Sequence, residues 1–345
     1  PPAPTRPPTP ARMLAHILPP AGHTLGMPST AGLYIDGPLT VKCDNTGPPG
    51  AQMALREPSV EGAVMETARG GILRAGLGYQ ESNVAACLNV AADHLGLKGV
   101  DTLEQLAEIK RVVVETATDV AVLNADDINC LKMADYCDAS RICYVTMNAE
   151  NALVREHIRA GGMACVLERA INGDMITFYD NGSHMPLLWS HLIPATLEGK
   201  ALHNVQNAMF AASMAYALSK DFEQIRHGLR TFDTSFFQAP GRMNVFNEHP
   251  FKVILDYAHN PAAFQVVVDT INRRDVAGRR VAVISMPGDR RDEDIRESAR
   301  ARAGHFDSYI CKADDNRRGR GEDEVPQILR HELLAQGVSD DAIQV

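Results

Sequence analysis

The feature that most limits the fold of this chain is an alternation of two periodicities. From Ala11 onward, short runs rich in Val, Ile and Ala alternate with longer stretches whose apolar residues recur at helical spacing. Strands are expected at 60–65, 84–90, 120–124, 141–145, 164–167 and 175–179, and helices at 103–116, 149–159, 204–218 and 221–230. Asp101 is the expected cap of the helix at 103–116, with Glu104 three residues later. Pro240 and Gly241 then punctuate a connector, and the alternation restarts with strands at 252–256, 281–286 and 308–311 and helices at 261–273, 292–303 and 322–335. Short strands alternating with helices of about 10–15 residues imply a mostly parallel sheet covered on both faces. The reading is two α/β domains, residues 1–238 and 239–345. In such sheets ligands bind outside the carboxyl ends of strands.

Composition excludes several classes. The net charge of −9 comes without a basic tract, which argues against nucleic acid as a partner. No apolar run approaches the ~20 residues that span a bilayer, and no signal-peptide pattern opens the chain, so the expectation is a cytoplasmic protein with no membrane partner. The seven cysteines form no C-x-x-C, and the twelve histidines show no zinc spacing. Free, mostly buried thiols in a reducing compartment are expected. The chain does not open on Met and ends just after the strand-like Ala342–Val345, which reads as a piece of a longer protein.

Chemistry-bearing residues gather just after the expected strands. Glu66, followed by Gly70 and Gly71, is either a solvated carboxylate or an oxygen donor for Mg2+, with glycines that let backbone approach a phosphate. The Asp93–His94 pair is either a loop cap or a cation-positioning pair. Lys110 lies on a helix, where a solvated face is the simpler reading. Asn124, Asp126 and Asp127 suit capping a strand-to-helix turn. Asn204 and Asn207 open a helix, as an N-cap or as amides that read an adenine edge. In the second half, Arg242 offers a guanidinium suited to phosphate, and Asp256 to Pro261 join a strand to a helix with proline in its first turn. The loops at 288–292 and 314–320 mix Arg and Asp densely at two equivalent strand ends.

Taken in order, these motifs resemble the Mur ligase superfamily, which includes the folylpolyglutamate synthases. The runs E-T-A-R-G-G-I-L-R from Glu66, N-V-A-A-D-H-L-G from Asn89, D-Y-A-H-N-P-A-A from Asp256, G-D-R-R-D-E-D-I-R from Gly288 and A-D-D-N-R-R-G-R from Ala313 are similar to the Mur-ligase-like C-terminal half of the cyanophycin synthetases. The resemblance implies a central P-loop-like ATPase domain of Mur ligase type with a mostly parallel sheet, followed by a smaller Rossmann-like α/β domain. It implies an ATP-dependent ligase that makes an acyl phosphate and joins an amino acid to it. ATP and Mg2+ are implied as cofactors, and L-arginine and a poly-aspartate (cyanophycin) chain as partners. A homo-oligomer of a full-length enzyme, with an ATP-grasp half before this one, is implied too. Residue by residue, Glu66 and His94 match Mg2+ ligands and Lys110 a lysine that helps hold a second Mg2+. Asn207 matches the adenine contact, and Arg242 and Asp256, with His259 in the same motif, match nucleotide contacts across the domain cleft. Asp289, Arg290, Asp292, Asp314 and Asp315 would form the amino-acid pocket.

One stretch departs from the family. Its phosphate loop, G-T-N-G-K-T-T, aligns here with Ala3-Pro4-Thr5-Arg6-Pro7-Pro8-Thr9. Both glycines and the lysine are gone, and proline has no N–H to offer a phosphate. Pro28, Ala31, Pro38, Pro48 and Pro49 are further departures, all near the same end. Single base changes to C explain most of them, which reads as error in the coding sequence rather than selection. The alternatives are a catalytically dead Mur-ligase-like module and another Mur or folylpolyglutamate-type ligase. The Gly288–Arg296 and Asp314–Arg320 runs argue against that other ligase. No G-x-G-x-x-G follows a strand, which disfavours a dehydrogenase.

Overall fold

The structure, a computed structural model, describes residues 9–18, 24–91, 99–233, 235, 241, 243–258 and 261–345. They fall into two compact units, one ending at Asn244 and the other beginning at Val245.

The first unit opens with α1 (Thr9–Ile17), then β1 (Leu25–Ser29), β2 (Gly32–Ile35), β3 (Leu39–Val41), α2 (Pro48–Arg56), β4 (Gly62–Ala63) and α3 (Arg69–Ala75). β1 to β4 make a small sheet in the order β3-β2-β1-β4, which the sequence reading did not anticipate. Its strands are three to five residues, or two for β4. The strand expected at 60–65 shrinks to β4, which pairs in parallel with Leu25 and Gly26. Pro28 lies on β1, a strand flanked on both sides, where proline removes a ladder donor. Pro48 and Pro49 open α2, where a missing N–H costs nothing.

The main sheet follows, with β5 (Ser82–Cys87), α4 (Leu103–Glu115), β6 (Ala117–Asn124), α5 (Ile128–Leu131), β7 (Arg141–Thr146), α6 (Ala152–Arg159), β8 (Met163–Ala170), β9 (Gly173–Asp180), β10 (Ser183–Trp189), α7 (Leu202–Ala217) and α8 (Phe222–Thr231). Its six strands run in the order β10-β9-β8-β7-β6-β5. β5 to β8 are parallel, and β9 and β10 turn the far edge antiparallel. Both faces are buried. Val120 and Val122 of β6 join one core with α1, α7 and α8, while Ala121 and Leu123 join another with α4 and α5. That double burial explains the unbroken apolar run of β6. α7 is apolar nearly all round because it is interior: Ala208, Met209, Phe210, Ala211 and Ala212 are inaccessible.

The cap of α4 differs from expectation. Thr102, not Asp101, takes the Gln105 N–H at 3.2 Å, and the Gln105 side chain bonds back to the Thr102 N–H in a capping box. Thr102→Ala is expected to cost about 1 kcal/mol, read as a lower urea midpoint at unchanged m-value; an unmoved midpoint would show that the box contributes nothing.

The second unit contains β11 (Asn244–Phe246) at its border, β12 (Val253–Leu255), α9 (Pro261–Asn272), β13 (Val281–Ile284), α10 (Asp292–Arg300), β14 (Ser308–Cys311), α11 (Glu324–Ala335) and β15 (Ile343–Gln344). β13, β14 and β15 form a parallel sheet in that order. Ile284, Ile295, Tyr309, Leu329 and Leu333 centre its core. No described helix is long and apolar enough to cross a membrane.

Candidate functional site

A cavity of about 520 Å³ lies in the first unit, bounded by the start of α1 (Pro10, Ala11), the segment after β4 (Glu66, Thr67), β5 and Lys110 of α4. Its volume suits a small-molecule ligand. The sequence separated Glu66 and Lys110 by a strand and a helix, and the fold brings both to this one wall. The N-terminal end of α1 brings the positive end of a helix dipole to this wall, which favours anions.

Three consecutive backbone groups after β5 are each held by a side chain. Asn124 Nδ2 donates to the Leu88 carbonyl at 2.7 Å, Lys110 Nζ donates to the Asn89 carbonyl at 2.8 Å, and the Val90 N–H donates to Asp127 Oδ2 at 2.6 Å. Asp127 also caps α5 through the Asn129 and Cys130 N–H groups, and Asp126 takes the Thr146 hydroxyl at 2.6 Å. The residues at 124–127 are thus ties that fix the strand end. Lys110 is half-buried in the cavity wall rather than on a solvated face. Burial raises the Tyr79 hydroxyl above its ordinary pKa, against hydrogen bonds from Thr67 and Thr116, so this wall residue stays neutral.

Glu66 is half-buried, and the Thr30 N–H points to its Oε2 across 3.4 Å. The Thr30 hydroxyl is buried and has no hydrogen-bond partner in the structure. The Glu66 carboxylate in the cavity wall is an oxygen donor of the kind Mg2+ accepts. Among the described residues, which do not include His94, no group of three His, Cys, Asp or Glu could hold a metal ion.

The other expected site residues scatter more. His94, Arg242 and His259 lie outside the described residues, as do positions 3–8 of the expected phosphate loop. Asn207 is half-buried on α7, its Nδ2 donating to Asn204 Oδ1 at 3.1 Å. Asn204 does not cap α7. It is buried inside the helix and donates to the Ala195 carbonyl at 2.7 Å, while Ala201 takes the cap position. Asp256 follows β12 in the second unit.

The two Arg- and Asp-rich loops do meet, at neighbouring ends of β13 and β14. Arg320 donates to the Gly288 carbonyl at 2.8 Å and the Arg290 carbonyl at 2.7 Å, and pairs with Asp292 and Glu324 at 2.8 Å each. Arg318 pairs with Asp289 at 2.6 Å. Gly288 is needed here, because a Cβ would stand 2.0 Å from the Arg317 carbonyl oxygen. Asp289 and Asp292 are therefore already engaged by Arg318 and Arg320, which the sequence reading placed in the pocket-forming loop at 314–320 without naming them individually as site residues. Their signal was the matching alternation of sign in both loops. Asp314 accepts from the Asn316 N–H at 2.8 Å, and Asp315 sits in solvent beside Lys312 at 3.4 Å.

Comparison with known proteins places the chain. The model of the Mur ligase middle domain matches residues 9–215, and that of the Mur ligase glutamate ligase domain matches 241–343. Cyanophycin synthetase of Nostoc sp. is 44% identical over 96% of this chain and 36% of its own length. The 2,6-diaminopimelate-adding UDP-N-acetylmuramoyl-L-alanyl-D-glutamate ligase of Corynebacterium efficiens is 28% identical over 91% of the chain and 56% of its own length. Among solved structures, Mycobacterium tuberculosis folylpolyglutamate synthase complexed with ADP and AMPPCP aligns with a TM-score of 0.68 at 17% identity, over 97% of this chain and 78% of that one. The fold is that of these ligases. The chain corresponds to a Mur-ligase-like stretch of cyanophycin synthetase and spans about a third of the length of the cyanophycin synthetases it matches. With matched models covering most of its residues in the expected order, the chain belongs to the Mur ligase family.

Proposed function

We propose that this chain is the amino-acid-ligating part of a cyanophycin-synthetase-like enzyme, which uses ATP to join arginine to the side-chain carboxylates of a poly-aspartate chain. The observation that carries the reading is the convergence of Glu66 and Lys110 on one cavity at the N-terminal end of α1. The 44% identity to a protein called cyanophycin synthetase supports the choice of substrates.

The chemistry has two steps. An acceptor carboxylate oxygen attacks the γ-phosphorus of ATP, and ADP leaves. The arginine α-amine then attacks the acyl carbon, inorganic phosphate leaves, and the amine loses a proton. Both reactants of the first step are anions, so positive charge must be in place before they approach. Lys110 and the first turn of α1 supply it from this chain. Glu66 and His94 would hold Mg2+, which when bound would neutralise phosphate charge. Asn207 is the proposed adenine contact, Arg242, Asp256 and His259 the remaining nucleotide contacts, and Asp289, Arg290, Asp292, Asp314 and Asp315 the amino-acid pocket. Because Arg318 and Arg320 already engage Asp289 and Asp292, Asp314 and Asp315 are the carboxylates most open to a guanidinium.

Binding of arginine, measured calorimetrically against lysine, tests the amino-acid assignment. A guanidinium-selective pocket is expected to prefer arginine by tenfold or more, because a planar fork and a point charge differ in the bonds they make. Equal affinity, or none for either, would remove arginine from the proposal.

A further inference from the structure

A second cavity, of about 610 Å³, lies at the opposite edge of the main sheet from the first, between α6 and strands β8 to β10. α7 and α8 pack against strands of this half and α6 packs on β8, while Tyr179 at the end of β9 and Trp189 at the end of β10 remain half-exposed. The groove holds Tyr179 and Trp189 on its floor and Arg155, Arg159 and Arg169 along its rim.

The lining sets Arg155, Arg159 and Arg169 against Glu150 and Glu168, which leaves one positive charge over. Glu150 is taken by Arg155. Glu168 receives hydrogen bonds from Tyr179, Thr177 and His184. Arg159 and Arg169 are exposed and make no ion pair with any described residue, although Asp174 stands opposite Arg169 across the β8–β9 ladder. In a chain of net charge −9, two unpaired guanidiniums beside a half-buried indole form a local exception to the overall sign.

We propose that this groove is an anchoring site for an acidic peptide, with Arg159 and Arg169 taking carboxylates and Trp189 packing against the backbone between them. Guanidinium forks match carboxylates bidentately, and an aromatic face adds contact area with little side-chain ordering. Identifying that peptide with the poly-aspartate acceptor rests on the ligase reading; the charge match does not. The groove would hold a stretch of acceptor whose side-chain carboxylates are still free.

Trp189 is the only tryptophan in the chain, so its fluorescence reports on the groove directly. Titration with poly-L-aspartate, without nucleotide, is expected to give a saturable change in emission that weakens steeply as salt is raised. Arg159→Ala with Arg169→Ala is expected to weaken binding at least tenfold, and the double Lys variant, which keeps the charge but loses the bidentate fork, to fall between the two. The proposal is overturned by an absent response, by equal affinity in the double Ala variant, or by polyphosphate binding as tightly as poly-aspartate, which would indicate a general anion patch. Because no ligation is read, binding that persists when a loop-restored chain still cannot ligate arginine would sink the ligase reading alone, and ligation without this response would sink the groove alone.

Discussion

Replacing Ala3–Pro8 with Gly-Thr-Asn-Gly-Lys-Thr, so that Thr9 completes the family loop, is expected to raise ATP turnover by at least about 10³-fold. Prolines at positions 4, 7 and 8 can offer no N–H to a phosphate, and the lysine charge is missing from position 7. Losing one preorganised donor typically costs about 10²–10³ in rate, and several are lost here together. The helix that such a loop would feed is intact, since α1 starts at Thr9 and its first turn borders the cavity. The change thus adds donors to a framework already in place. ADP release with arginine and a poly-aspartate acceptor, compared for the two chains, is the measurement. Equal rates would mean that the loop is dispensable here and that phosphate is held elsewhere. No turnover in either would favour a binding module of ligase ancestry.

In the loop-restored chain, Lys110→Ala is expected to lower kcat by about 10²–10³-fold, as does loss of one preorganised group in other active sites. Stability should change little. The one hydrogen bond recorded for Lys110 goes to the carbonyl of Asn89, an exposed residue that water can reach in its place. The expected pattern is therefore a fall in kcat with an unfolding midpoint near the parent's. A lysine that merely tied α4 to the strand end would give the opposite, a lowered midpoint with nearly unchanged kcat. Glu66→Gln makes a useful companion, because it keeps the shape and removes the charge. If Glu66 holds Mg2+, its loss should be partly recovered by raising the magnesium concentration, whereas the loss at Lys110 should not.

Much of this protein was legible before its structure. Double-sided burial wrote itself into β6 as an unbroken apolar run, and interior placement wrote itself into α7 as alanine and methionine without a polar face. The motifs after the strands, in their order, carried the family. The β1–β4 sheet and the seven-residue β10 went unseen, although β12 to β14, of three or four residues, were expected, and the cap of α4 slipped by one residue because Asp101 and Thr102 are both competent caps.

What the sequence determined by itself is what depends on local periodicity and on residue type: the α/β class, the family, and which side chains can hold phosphate, cation or carboxylate. What only the tertiary structure decided is which of those side chains remain available. Lys110 turned out to face a cavity and not solvent, Asp289 and Asp292 to be held by Arg318 and Arg320, and Arg159 and Arg169 to be left unpaired beside Trp189. Charge neutralisation acts through space between segments that the chain separates by tens of residues, and no pattern along the sequence records which partner each charge will find.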